Sequence, residues 1–339
     1  MTAVKLKTNG RKSIVPIITK YWLLLVTILV FFMFVLIEPR FASMRNVMDM
    51  LSSTCVLGLV GVGVTVVMCV GEIDFACGME LSLSAVLMAV ILDNPILSQY
   101  YIVVLIAVLF ISTLFGALNA FLHVKVGIPS FIATMGTSLI TLGLCKFLTN
   151  GGSFYSKQWP DAFTFLGQAY LMNLIPVTAI VLLITTIVMW IYTEKTRNGK
   201  LLYAVGSNPK ACNYVGISVR KQKILSFIFC AFLCGFAGVV QSSQLNSSSP
   251  YMGNLSLINA LTVLMLGATF LKMGVFNIPG TIVGSILFTI INFGLVMVGA
   301  PSFVKDFVQG GILLFAVSAV TIIRSEEHTS ELQSRSAIS

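Results

Sequence analysis

The chain has 339 residues, 57% hydrophobic and only 10% charged, with a formal net charge of +9. A soluble domain holds about 25% charged and 45–50% apolar residues, so that class is excluded, and so much apolar content also excludes a disordered or fibrous chain. The composition, with a mean hydropathy of +0.97, fits an all-α, polytopic membrane protein.

A helix that crosses a bilayer needs about 20 largely apolar residues. Such runs predict ten spans, at 21–37, 51–71, 75–92, 100–122, 130–148, 171–192, 224–241, 256–271, 276–298 and 303–323, within a permease-like domain of 21–323. Segment 1–20 ahead of them is basic, carrying Lys5, Lys7, Arg11, Lys12 and Lys20 without an acid. The first run lacks a small-residue cleavage site and ends in Glu38-Pro39-Arg40, so it reads as a retained helix rather than a signal peptide. The third span contains Glu80 and starts just after Glu72 and Asp74; the eighth is short and ends at Lys272. Gly58 and Gly61 with Gly63, Gly116 with Ala120, and Gly280 with Gly284 are spaced for close helix approach in lipid.

The loop 193–223, after the sixth span, holds Lys195, Arg197, Lys200, Lys210, Arg220, Lys221 and Lys223 against a single Glu194. Six crossings return the chain to its starting side, so the two basic stretches share a side, and the positive-inside rule makes that side cytoplasmic, N-terminus included. His123, Lys125 and Lys272 fall on the same side. The cysteines at 55, 69, 77, 145, 212, 230 and 234 show no metal-like pairing and read as small core residues. From Arg324 the apolar pattern stops. Residues 324–339, which contain RSEEHTSELQS, resemble a translated sequencing adapter and are set aside as a non-native tail. Without them 19 basic residues stand against 9 acidic, and twelve of the nineteen lie in 1–20 and 193–223. The charge therefore reports topology, not a nucleic-acid partner.

No G-x-x-x-x-G-K-[ST] loop is present, no Cys/His/Asp cluster has metal spacing, and no serine has an evident base. The expectation is a non-enzyme with no catalytic residue, no metal site and no cofactor of its own, so uphill transport would draw on an ion gradient or a separate ATPase. Glu72 and Asp74 sit at a helix junction. They read either as a cation site or as a structural corner whose carboxylates cap the next helix. Within the basic loop, Asn208 is a good N-cap, Pro209 suits the first helical position, Lys210 and Ala211 continue the turn, and Gly216 suits the stop. A short capped helix between two spans is a shape that docks into a soluble partner.

Four stretches, in order, carry a family resemblance. Thr196-Arg197-Asn198-Gly199-Lys200 through Ala204-Val205-Gly206-Ser207-Asn208-Pro209-Lys210-Ala211 to Gly216-Ile217 looks like the cytoplasmic coupling segment of bacterial ribose/xylose-type monosaccharide ABC importer permeases. Gly71 to Gly78 is similar to that family's G-x-I-D-L-S-x-G element, and Phe131-Ile132-Ala133-Thr134 with Thr149-Asn150-Gly151 fits the next. Leu266-Gly267-Ala268 through Gly280, Gly284, Asn292 and Gly294-Leu295 completes the set. Phe75-Ala76-Cys77, Glu72 and Glu80 depart from it, and Ile73-Asp74-Phe75-Ala76 leans towards the related branched-chain amino-acid permeases.

The resemblance implies a ten-helix inner-membrane permease working as a pair, either two copies or one copy with a sister chain. It further implies two ATPase subunits on the cytoplasmic side, which bind the ATP and Mg, and an extracytoplasmic sugar-binding protein. Residues 208–216 would be the coupling helix. Candidate pathway residues are Asp74, Glu80, Asn119, Asn259 and Asn292, and the polar segment Gln241–Asn254 is expected to face outward. The alternatives are an importer of branched-chain amino acids or another small polar solute, and a gradient-driven carrier using Asp74 or Glu80.

Overall fold

A computed structural model describes residues 15–155, 159–172 and 174–336; Lys5, Lys7, Arg11 and Lys12 lie outside them. The chain is helical almost throughout. Helices α1 (Val15–Ile37), α2 (Met44–Cys69), α3 (Cys77–Leu92), the single turn α4 (Pro95–Ser98), α5 (Tyr101–Phe121) and α6 (Ser130–Thr149) form the first half. A short outer-loop region follows, with β1 (Phe154–Tyr155), α7 (Asp161–Gln168), β2 (Tyr170–Leu171) and β3 (Ile175–Pro176). The second half holds α8 (Val177–Lys195), α9 (Arg197–Ser207), α10 (Pro209–Tyr214), α11 (Val219–Leu245), β4 (Ser247–Ser248), α12 (Ser256–Gly267), α13 (Ile278–Met297) and α14 (Ser302–Ser336). β1 pairs antiparallel with β4, and β2 with β3.

Among the described residues, eight helices are long and apolar enough to cross a membrane. The other two expected spans, 75–92 and 256–271, are the shorter apolar helices α3 and α12. The expected start of the sixth span is also too early. Leu171 belongs to β2 and Ile175–Pro176 form β3, and α8 begins only after Pro176, whose missing N–H suits a helix start. Helix α14 runs on through 324–336.

Helix α11 is the centre of the molecule, packing most extensively on α2, α3 and α5. Small residues permit the approach: Gly116 of α5 lies on Ala231 and the Phe227 carbonyl of α11, and Gly284 of α13 lies on the Val263 carbonyl of α12. Hydroxyls stitch the same helices. The Thr65 and Thr281 hydroxyls are 2.7 Å apart between α2 and α13, and Ser112 Oγ of α5 donates to the Ala231 carbonyl at 2.7 Å. All seven cysteines are buried and free, with Cys230 Sγ and Cys234 Sγ 3.9 Å apart on one face of α11.

A cluster of charged pairs lies at one end of the bundle. Glu72 after α2 meets His123 of the π-helical turn Leu122–Val126 after α5, and Lys223 at the start of α11. Lys272 after α12 pairs with Glu194 at the end of α8 at 2.7 Å. At the other end Tyr170 donates to Asp49 (3.0 Å), Gln244 donates to the Ser52 carbonyl (2.9 Å), and β1 meets β4. His123, Lys223 and Lys272 thus share an end, as the crossing parity requires.

Candidate functional site

At the charged end, α9 is anchored by buried Gly199, Leu202 and Val205 on one face, and its first turn is capped by Thr196 Oγ1, which accepts from the Gly199 N–H at 3.1 Å. Asn208 then closes α9 and opens α10. Its N–H donates to the Ala204 carbonyl at 3.0 Å, and its Oδ1 accepts from the Ala211 N–H at 2.9 Å. Pro209 occupies the first helical position. Gly216 terminates the turn at φ +77°, a left-handed conformation that suits glycine, and the Ile217 N–H donates to the Cys212 carbonyl at 2.9 Å. Cys212 is the buried peg, while Asn208, Pro209, Lys210 and Ala211 are exposed. Tyr214 and Val215 are 90% and 73% exposed. The sequence-identified residues 208–211 and 216 thus come together in one capped, projecting turn.

This knob rests on the α2 terminus, where Gly206 lies against the Cys69 carbonyl. Three residues past that terminus, Glu72 receives a hydrogen bond from Lys223 Nζ and pairs with His123 Nε2 at 3.1 Å. Burial pushes the Glu72 carboxyl up, but hydrogen bonds from His123, Lys223 and Ser130 outweigh it and hold the group at about 2. Glu72 is therefore an anionic tie between the ends of α2, α5 and α11. Asp74 instead turns back on its own corner: its Oδ1 accepts from the Ala76 N–H at 2.9 Å, just ahead of α3. Asp74 is thus a corner residue ahead of α3, which has no side-chain cap, whereas Glu72 makes long-range pairs.

From this corner the chain climbs into the bundle. Asp74 sits beside Cys230, and Cys77 beside Cys234, eleven and fifteen residues into α11. At 1.5 Å per residue, α3 starts about halfway along the ~40 Å of α11. The segment before α12 dips to meet it. Gly253 abuts the Gly78 carbonyl so closely that a Cβ would fall on it, and the Gly253 N–H donates to Ser82 Oγ at 2.8 Å. Residues 241–254 are only in part a loop, and Ser247–Ser248 within them pair with β1 at the end opposite the charged cluster. Gln241 to Leu245 are the last residues of α11, and the chain around Gly253 is drawn inward by α3. Helices α3 and α12 are half-length because both begin at mid-depth. Broken helices of this kind mark solute sites in many transporters.

Asp74, Glu80 and Asn119 converge here. Glu80 and Asn119 are fully buried; Asn119 Nδ2 donates to Glu80 Oε1 at 3.3 Å and Thr137 Oγ1 donates to Asn119 Oδ1 at 2.5 Å, so α3, α5 and α6 share one polar chain. Among the described residues no N–H or O–H donates to Asp74 Oδ2 or Glu80 Oε2. The other two candidates are elsewhere. Asn259 faces a separate cavity of about 340 Å³ between α2, α11, α12 and α14. Asn292 accepts from Gln309 Nε2 at 2.7 Å and donates to the Phe288 carbonyl at 2.8 Å, tying α13 to α14. Sequence reasoning missed Gln241 and Lys305, which line the Asn259 cavity, and did not connect His123 and Lys223 with Glu72. The lone lysine at the start of the last span was the available signal for Lys305. No group of three His, Cys, Asp or Glu among the described residues has the geometry to hold a metal ion.

Residues 46–317 match the family described as branched-chain amino acid transport system / permease component. The chain belongs to this permease family. The ribose import permease protein of Bacillus subtilis (strain 168) is 30% identical to the permease over 285 residues, 83% of this chain and 86% of the relative. The ribose import permease protein of Escherichia coli (strain K12) is 28% identical over 306 residues, 88% of this chain and 94% of the relative. The galactose/methyl galactoside import permease protein of Haemophilus influenzae is 26% identical over 294 residues, 83% of this chain and 88% of the relative. No solved structure matches the permease. The family match runs from α2 well into α14 and stops short of 324–339.

Proposed function

We propose that this permease is the membrane subunit of an ATP-driven importer that moves a small sugar across the bacterial cytoplasmic membrane. The observation that carries the reading is α10: a capped turn with Tyr214 and Val215 projecting beside Lys210, seated through α9 on the end of α2. A chain without a phosphate-binding loop draws on an ion gradient or on a separate ATPase, and this capped, projecting turn is a shape that receives force from the latter. The relatives, named for ribose and galactose import, support a sugar as cargo. The charged end with α10 faces the cytoplasm, as does the N-terminus, by the positive-inside rule. Two permease subunits, identical or sister chains, pair above two ATPase subunits that bind ATP and Mg, and a binding protein delivers sugar to the opposite face. ATP chemistry stays on the partner; residues 208–211 and 216 transmit its motion.

The test is the double variant Asn208→Ala, Tyr214→Asp in the assembled importer. Sugar uptake is expected to fall about tenfold or more, the scale of losing an anchor residue at an interface, while the unfolding temperature falls only by the few degrees that a lost helix cap costs. Undiminished uptake would remove α10 from the coupling path. A substrate panel that includes leucine separates the sugar reading from branched-chain amino-acid import, to which Ile73-Asp74-Phe75-Ala76 leans.

A further inference from the structure

The cavity beside Asn259 gathers polar and charged side chains within an otherwise apolar bundle. It measures about 340 Å³ and lies between α2, α11, α12 and α14, reaching from Ser53 down to Val60. That size is at the lower end of small-molecule sites and equals about eleven waters at the ~30 Å³ each takes in the liquid. Gln241 Oε1 is buried there without a donor among the described residues. Lys305 is half-buried, and none of the ion pairs formed by the described residues includes it. Asn259 and Ser256 add an amide and a hydroxyl one turn apart on α12. An acceptor, a cation and two mixed donor–acceptors converge over an apolar wall of Val56, Leu57 and Val60. Buried polar groups are normally satisfied within the protein, and Gln241 Oε1 is an exception among the described residues.

We propose that this cavity is a loading site for a neutral monosaccharide, within a single permease subunit, on the side opposite α10. A sugar matches it on both counts. Its hydroxyls donate to Gln241 Oε1 and accept from Lys305 and the Asn259 amide, and the C–H face of its ring packs on Val56, Leu57 and Val60. A zwitterionic amino acid does not match, because the lining holds one cation and no carboxylate to receive an ammonium group. Gln241, Asn259 and Lys305 are then the residues that set cargo preference in the membrane subunit. The inference rests on the sugar-import reading above and adds where and how the sugar is held.

The experiment uses right-side-out membrane vesicles containing the whole importer. Because all seven native cysteines are buried, Ser256→Cys gives one reactive thiol, and its modification by a membrane-impermeant methanethiosulfonate is timed with and without saturating ribose or galactose. In parallel, Gln241→Leu, Asn259→Leu and Lys305→Met are assayed for uptake. The expected result is labelling from outside, slowed severalfold by the transported sugar and unaffected by leucine. Each substitution is expected to raise the half-saturating sugar concentration about three- to tenfold, the scale of one hydrogen bond, with binding-protein-stimulated ATP hydrolysis retained. Labelling that sugar does not slow, or uptake unchanged in all three variants while the parent imports sugar, overturns the loading site alone. A parent importer that takes up no sugar overturns the functional reading and the loading site with it.

Discussion

Glu72 shows how far a residue's role can lie from its neighbours in sequence. Next to Asp74 it looks like half of an acidic pair, yet its partners are His123 and Lys223, the latter 151 residues away. Nothing local in Gly71-Glu72-Ile73 announces such a contact, because only the packing of α2, α5 and α11 creates it. The carboxyl is held near 2 rather than its ordinary 4.5, so the folded state binds the proton less readily than the unfolded chain. Its contribution to stability is therefore present in full above about pH 4.5 and lost as the pH falls towards 2. Glu72→Gln is expected to lower the stability of the detergent-purified protein by about 2–3 kcal/mol at pH 7, since each tenfold change in proton affinity is worth about 1.4 kcal/mol, less some solvent screening. Thermal unfolding across pH checks this: the gap between parent and variant should narrow below pH 4.5, and a gap that stays constant would contradict the assignment. Asn292 is the converse case. As an asparagine inside an apolar span it is a reasonable pathway candidate, but its amide is consumed by Gln309 and the Phe288 carbonyl. Asn292→Leu is accordingly expected to cost about 1 kcal/mol in unfolding and to leave the sugar concentration for half-maximal uptake unchanged.

Among the elements, α10 was the most legible, since a cap, a first-turn proline and a stop glycine act within nine residues and need no tertiary partner. The two half-helices were less so. Hydropathy counts apolar residues and cannot see depth, so 75–92 and 256–271 look like weak spans when they are short helices starting inside the bundle. The Gly78–Gly253 contact reveals this, and no sequence period encodes a contact between a helix start and a distant loop. That junction makes Gly253→Ala a sharp test. The added methyl would fall on the Gly78 carbonyl, a backbone atom fixed by α3, so a loss of about 2–4 kcal/mol is expected in thermal unfolding. Gly136, whose Cβ would meet nothing within 4 Å, supplies the matched control as Gly136→Ala.

At the scale of the molecule, the fold class was readable from the apolar pattern, because a bilayer penalises every unpaired polar backbone group and so leaves few architectures. What the pattern could not convey is how the polar residues divide among the deep Glu80–Asn119–Thr137 chain, the α13–α14 tie and the cavity at Asn259. The proposed orientation makes a direct forecast: with the native thiols buried, Lys210→Cys should react only from the cytoplasmic side and Gln99→Cys, beyond α3, only from outside. Labelling of both from one side would contradict the crossing pattern. The central claim is that the permease is driven by a partner ATPase and carries a sugar, and the decisive measurement is uptake into proteoliposomes of known composition. With the ATPase subunit, ATP and the sugar-binding protein present, ribose or galactose should accumulate, and omission of any one should abolish it. Uphill uptake by this chain alone, driven by a proton or sodium gradient, would contradict the account.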